Sequence, residues 1–234
     1  LVTNSTANYS WVFTAGNKYD ATNYNQLSPL GINSATAMGT YLNDKYTEMV
    51  ESIAKYGGFY VGRYETSSWE TDNWEAGGTN KDNTGEIIKS VPNATTMAST
   101  NWYKMYLKQD SNYTSNPYHT SSSVTSSMIW GAQWDTMLNY ILTGSDKEKV
   151  TAVTGNHSGT RAKTGQYGSD IMNNIFDLSS NVREWTSEAN GATYRVHRGG
   201  YYRTGDLYAS SARGSYYPTN SYYVIGSRLS LYLK

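Results

Sequence analysis

The chain has 234 residues, 38% of them hydrophobic and 16% charged, and its 19 basic side chains balance 19 acidic ones, which excludes a disordered polyelectrolyte and a generic polyanion binder. It contains no cysteine, so disulfide scaffolds, thiolate metal sites and cysteine nucleophiles are excluded, and no apolar run approaches the roughly 20 residues that span a bilayer. It opens on Leu1 with neither a methionine nor a signal-like stretch, which reads as a domain cut from a longer or processed protein.

In chain order, residues 1 to 45 read as an extended lead-in, rich in Asn, Thr, Ser and Tyr, with a short strand at residues 9 to 14. Tyr46, Met49, Val50, Ile53 and Ala54 recur at helical spacing and predict a helix over residues 43 to 56, stopped by Gly57 in the left-handed conformation. Residues 58 to 64 alternate as a strand, and 70 to 88 read as loop. A second helix is expected over residues 94 to 109, burying Met97, Trp102, Met105 and Tyr106. Residues 111 to 127 resemble a low-complexity linker, yet the helix after them, residues 131 to 142 with Trp134, Met137, Leu138 and Ile141 inward and Gly144 as its stop, needs a partner layer from elsewhere. Short strands are expected at 174 to 178, 182 to 186, 194 to 198 and 223 to 233. The whole reads as a single α+β domain over residues 46 to 234, preceded by the lead-in, with few helices, short strands and long loops.

Tyrosine is over-used, with 23 against three phenylalanines, and nine of the 23 fall in the last 41 residues. Charge divides at the same place, since residues 194 to 234 carry six basic side chains against Asp206 alone. Tyrosine offers a large amphipathic contact area with few rotors, as paratopes use it, whereas the plain alternative is that β-rich tails favour tyrosine. The pairs Tyr201-Tyr202, Tyr216-Tyr217 and Tyr222-Tyr223 argue against that alternative, because neighbours on a strand face opposite sides, so one of each pair is exposed or in a loop.

The series Asn174-Ile-Phe-Asp-Leu-Ser-Ser-Asn-Val-Arg-Glu-Trp-Thr186, Arg195-Val-His-Arg-Gly-Gly200, Ser211-Ala-Arg213, Pro218 and Ile225-Gly-Ser-Arg228 resembles the formylglycine-generating enzyme (sulfatase-modifying factor) family over about residues 56 to 234. That resemblance implies a C-type lectin-like fold. The pair Gly199-Gly200 marks a tight turn or close backbone approach, and Trp185 a core anchor. Arg198, Arg213 and Arg228 supply forked donors that tie loops to carboxylates such as Asp177 and Glu184, with ligand contact as the other role open to them. The sequence departs from the family in three places: Tyr201-Tyr-Arg-Thr-Gly-Asp-Leu-Tyr208 holds none of the cysteines that the enzymes carry after R-G-G, Ser180 replaces a glycine, and Ser227 replaces an aromatic. Thiol-dependent oxidation therefore does not run here.

The tail further resembles the variable region of variable proteins made by diversity-generating retroelements, in which randomised adenines turn Asn codons (AAY) into other residues but never a stop. Between the framework residues stand Tyr201, Tyr202, Arg203, Asp206, Leu207, Tyr208, Gly214, Ser215, Tyr216, Tyr217, Asn220, Ser221, Tyr222, Tyr223 and Val224, every one reachable from AAY. The residues from Gly226 to the end are expected to close the sheet. The resemblance implies a non-enzymatic display protein whose region 198 to 228 binds a protein or glycan on a host-cell surface, located at a virion tail or a bacterial exterior, with oligomerisation through the parent protein. A catalytic or fixed-specificity carbohydrate-binding member of the enzyme-like family is the alternative.

No cofactor is expected. His119, His157 and His197 are scattered without metal-ligand spacing and read as loop or surface histidines, while calcium on Asp177 and Asn181 stands as an alternative to plain structural hydrogen bonding at those two residues. Phosphate loops and a nucleophile elbow are missing, and three of the six tail cations are taken as framework, so neither nucleic acid nor membrane insertion is expected.

Overall fold

A computed structural model describes residues 19–68, 88–98, 100–191, 193–203 and 208–234. The expected strand at residues 9 to 14 lies outside them, as do most of the loop at 70 to 88 and the candidate residues Asp206 and Leu207.

The first described segment is helical, which corrects the extended lead-in over residues 20 to 45. A short α1 (Asp20–Asn23) runs into a 3-10 turn, Tyr24–Leu30, and then α2 (Ala35–Tyr56). Ser34 starts α2: its backbone is extended and its hydroxyl accepts from Ala37 N at 3.0 Å, filling one orphan donor of the first turn. Gly57, at φ 82°, ends it in the expected left-handed conformation. The buried face is Met38, Leu42 and Met49, with Tyr46 and Ile53 packed against it, so Val50 and Ala54, about 100° further round, face outward instead of inward.

Two further expectations of local structure are corrected. The helix expected from residue 94 begins at Trp102, as α3 (Trp102–Gln109), because Asn101 is extended and caps Lys104 N at 3.0 Å, while Thr95 and Thr96 form β-bridges. Residues 174 to 178 form no strand; Asn173, Asn174 and Asp177 have φ of 47°, 66° and 62°, which turns the chain sharply. The strand expected at 58 to 64 contracts to β1 (Tyr60–Val61).

A two-stranded pair, β2 (Ser67–Ser68) with β3 (Ile88–Lys89), precedes α3. The supposed linker ends as β4 (Val124–Met128), with Thr125, Ser126 and Ser127 all buried and their hydroxyls bonded to Glu48, Gln109 O and Ser230. Next, α4 (Gly131–Leu142) has the expected bounds and inward face. Four strands then form one sheet, β5 (Arg183–Asn190), β6 (Tyr194–Arg198), β7 (Arg213–Tyr216) and β8 (Ile225–Ser227), in the order β7-β6-β5-β8, with β5 and β8 parallel. The last strand, β9 (Leu229–Leu233), lies between β1 and β4, antiparallel to both. The tail does close a sheet, and does so as its middle strand.

The chain is thus α+β, the expected class. Met49, Trp102, Trp130, Trp185 and Tyr232, from widely separated parts of the sequence, share one apolar core. Among the described residues no helix is long and apolar enough to cross a membrane.

Candidate ligand-binding surface

Ion pairs, buried except at Arg213, hold the tail from beneath. Arg228, between β8 and β9, donates Nε and Nη2 to Glu184 at 2.5–3.1 Å, and its remaining donors reach Gly62 O and Phe176 O at 2.8 Å. Arg198 pairs with Asp135, and Arg213 donates to Glu188 at 2.6 and 3.1 Å. The three expected framework arginines therefore do tie carboxylates, but Asp177 is not one of them: it accepts from Gly165 N at 2.7 Å. A fourth pair escaped the sequence reading, Arg195 with Asp20, bonded at 2.8 Å to both carboxylate oxygens. Where one partner is removed from such a buried pair, the other is left uncompensated, so these contacts specify geometry strongly.

The two replaced family positions are both used. Ser180 donates to Asp170 at 2.7 Å, and Ser227 accepts from Gln109 Nε2 at 2.5 Å. At the calcium candidates, Asn181 Oδ1 accepts from Ala162 N, its Nδ2 donates to Glu65, and one oxygen of Asp177 is held by Gly165. Among the described residues no group of three or more His, Asp or Glu side chains is arranged to hold a metal ion.

Gly199 begins the variable stretch at φ 79°, and a Cβ on Gly200 would overlap Ser179 O and Tyr208 O. This close approach presses residues 199–202 onto 178–181, with Tyr202 N donating to Asn181 O at 3.0 Å. Tyr201 and Tyr202 are consequently buried, 5% and 7% exposed, so this pair meets the expectation of a loop position and not that of exposure. Tyr202 packs with Ala98, Val182 and Val224.

The rest of the candidate set lies further out. Tyr208, Tyr216 and Tyr223 are 42%, 36% and 42% exposed. Arg203, Asn220 and Ser221 are exposed, with Arg203 Nη2 donating to Tyr223 Oη at 3.4 Å and Asn220 Nδ2 to Tyr222 Oη at 3.2 Å. Tyr216 stacks on Tyr222 at 4.5 Å and on His197 at 5.2 Å, and Tyr217 packs against Tyr194 and Tyr19. Gly214 and Ser215 are half-buried on β7, where Ser215 Oγ accepts from Asn190 at 2.9 Å.

His197 is corrected from a loop or surface histidine to a buried residue of β6. Burial pushes its imidazole down to about 3, and Arg183, Arg198 and Arg213 add to the effect, so it is neutral at ordinary pH. His119 is exposed and His157 half-buried, each bonded to a backbone oxygen.

Beside His197 opens a cavity of about 240 Å3, lined by Arg183, Tyr208, Arg213, Tyr216 and the small residues Gly199, Ala212, Gly214 and Ser215. Arg183 lies against Tyr201 and Tyr208, 4.2 and 4.7 Å from the ring centres. Neither Arg183 nor His197 stood among the candidates; the one signal for Arg183 was its place in Asn181-Val-Arg-Glu-Trp185, at the position that the family motif leaves open.

No protein-family model matches the chain, and no curated protein does. Solved structures similar to it include Treponema denticola variable protein 1, at 16% identity and a TM-score of 0.34 over 45% of this chain and 47% of that one. CarF is similar at 15% identity and a TM-score of 0.42, over 81% of this chain and 83% of that one. The chain spans about half the length of the variable protein. Neither likeness bears on the reading of the surface, which rests on this chain's own residues.

Proposed function

We propose that this chain is a non-enzymatic display protein whose diversified C-terminal surface binds a protein or glycan on a host cell, from a virion tail or a bacterial exterior. The observation that carries this reading is the exposure of Tyr208, Tyr216 and Tyr223, with Arg203, on a tail whose framework arginines are held in ion pairs with carboxylates. Framework and display are thus carried by different residues of one segment, the division that a mutable surface requires. Rigid aromatic anchors with a few charges are the chemistry of a binding face. The absence of cysteine from the whole chain removes the oxidative chemistry of the enzymes that the motifs resemble.

The test is to sequence the encoding DNA and its flanks. A near-copy of the segment for residues 198 to 228, with AAY codons at the candidate positions and a reverse transcriptase beside it, is the expected finding. Its absence overturns diversification and leaves a fixed-specificity binder.

A further inference from the structure

Among the described residues, the cavity beside His197 holds one cation that the framework does not use. Arg198 and Arg213, its neighbours, are matched by Asp135 and Glu188. Arg183 is only 9% exposed, yet its side chain makes no ion pair and donates no hydrogen bond among the described residues. Its contacts are the rings of Tyr201 and Tyr208, which engage the charge but accept none of the five guanidinium N–H donors in the plane of the fork. The guanidinium nitrogens keep access to solvent beside the cavity, which leaves their donors open to an anion seated there. Among the described residues, three arginines stand against two carboxylates, with His197 neutral, which leaves a surplus of one positive charge. That surplus matches a monoanion, and a carboxylate fits the planar fork bidentately.

We propose that this cavity seats an acidic monosaccharide, its carboxylate accepting from Arg183 and its ring lying against Tyr208 and the edge of Tyr216. The inference rests on the binding-surface reading above and specifies its ligand class. Size favours a ring over an acidic peptide side chain: water occupies about 30 Å3 in the liquid, so a cavity of about 240 Å3 holds far more than the few atoms of a linear acid. The walls of Gly199, Ala212 and Gly214 provide width, and Ser215 with the two tyrosine hydroxyls provides partners for sugar hydroxyls.

The experiment is ligand-observed saturation-transfer NMR on the full chain with glucuronate, its methyl ester, glucose and a glutamate-rich peptide. Glucuronate is expected to receive saturation, with at least tenfold weaker binding for the ester and for glucose, and a similar loss in Arg183→Gln. Arg183→Lys, which keeps the charge but not the fork, is expected to fall between them. Thermal melts report whether the variants fold, and the ester comparison on the unaltered protein decides the matter if they do not. Equal binding of acid and ester, preference for the peptide, or binding of none of the four overturns the proposal. A protein and glycan array separates this from the broader reading. Array ligands that depend on Tyr223 but ignore Arg183 sink the cavity proposal and leave the binding surface standing. Array binding unchanged by alanine at Tyr208, Tyr216 and Tyr223 and by Arg183→Gln sinks both.

Discussion

Gly214 on β7 faces His197 on β6 as its cross-strand partner, and the imidazole fills the space that a side chain at 214 would need: a Cβ there would come 2.5 Å from His197 Cε1. Although position 214 is reachable from an AAY codon, the geometry makes it far less tolerant than Ser215 or Tyr216. Gly214→Ala is expected to displace the buried ring and to cost about 1–3 kcal/mol in urea denaturation, the usual range for an overpacked site. Removing the ring should relieve the clash, so Gly214→Ala in a His197→Ala background is expected to cost much less than in the unaltered chain. Equal costs in both backgrounds would show that the ring does not constrain position 214.

The neutral state of His197 gives stability a defined pH dependence. Its folded value of about 3 lies below the ordinary 6.5, so between these limits the unfolded chain binds a proton that the folded chain refuses. The contribution is fully present above pH 6.5 and is lost as pH falls toward 3. His197→Gln is expected to flatten that loss, and the imidazole C–H signals of His197 in NMR spectra should stay in place from pH 8 down to about 4. A titration near 6.5 would contradict the burial argument.

The carboxylates around Arg228 act with the opposite sign. Burial raises Asp177 to about 6 and Glu184 to about 7, and raises Glu65 as well, where Asp177 and Glu184 reinforce the effect, while the charge of Arg228 opposes the rise at all three. A carboxyl whose folded value is raised stabilises fully below its unfolded value, and that stabilisation is lost as pH rises through the folded one. For Asp177 the window runs from about 3.8 to 6. Asp177→Asn keeps an oxygen for Gly165 N–H, tolerates the left-handed backbone, and never ionises. It is expected to gain on the order of 2–3 kcal/mol relative to the unaltered chain between pH 4 and pH 7.5. Because His197 contributes an opposing slope, the informative quantity is the difference between the two proteins at each pH. A difference that does not change with pH would show Asp177 to be ionised throughout.

The parts of this fold that the sequence disclosed are those where one chemical type recurs at a helical period. Met97 to Tyr106 and Trp134 to Ile141 read as buried and are buried, although only the second set lies wholly within a helix. The first turns of α2 stayed hidden because Ala35-Thr-Ala-Met-Gly-Thr offers one large apolar residue, Met38, and the helix is fixed by the Ser34 cap instead. β4 looked like linker because Thr-Ser-Ser is polar, yet each hydroxyl finds a partner inside. At the candidate site, residue type does not separate Tyr202, pressed inward by the Gly199-Gly200 turn, from Tyr223 on the surface. Nor does spacing reveal that Arg183 and His197 border one cavity, since the pairing of β5 with β6 brings them together.

The tail tyrosines, uniform in type, divide into two energetic classes, and alanine substitutions measured by chemical denaturation separate them. Tyr202 fills a buried cluster with Ala98, Val182 and Val224, so Tyr202→Ala is expected to cost about 3–5 kcal/mol, as truncation of a large buried ring does. Tyr223 projects into solvent with a long contact from Arg203, and Tyr223→Ala is expected to change stability by less than about 0.5 kcal/mol. Tyr216 lies between these, stacked on Tyr222 and His197 while 36% exposed, and should cost about 1 kcal/mol. Ligand affinity should rank the positions in the other direction, with Tyr216 and Tyr223 losing tenfold or more at little structural cost. A chain in which Tyr223→Ala unfolds the protein as readily as Tyr202→Ala would have a tail that serves packing, and the binding surface would have to be sought elsewhere.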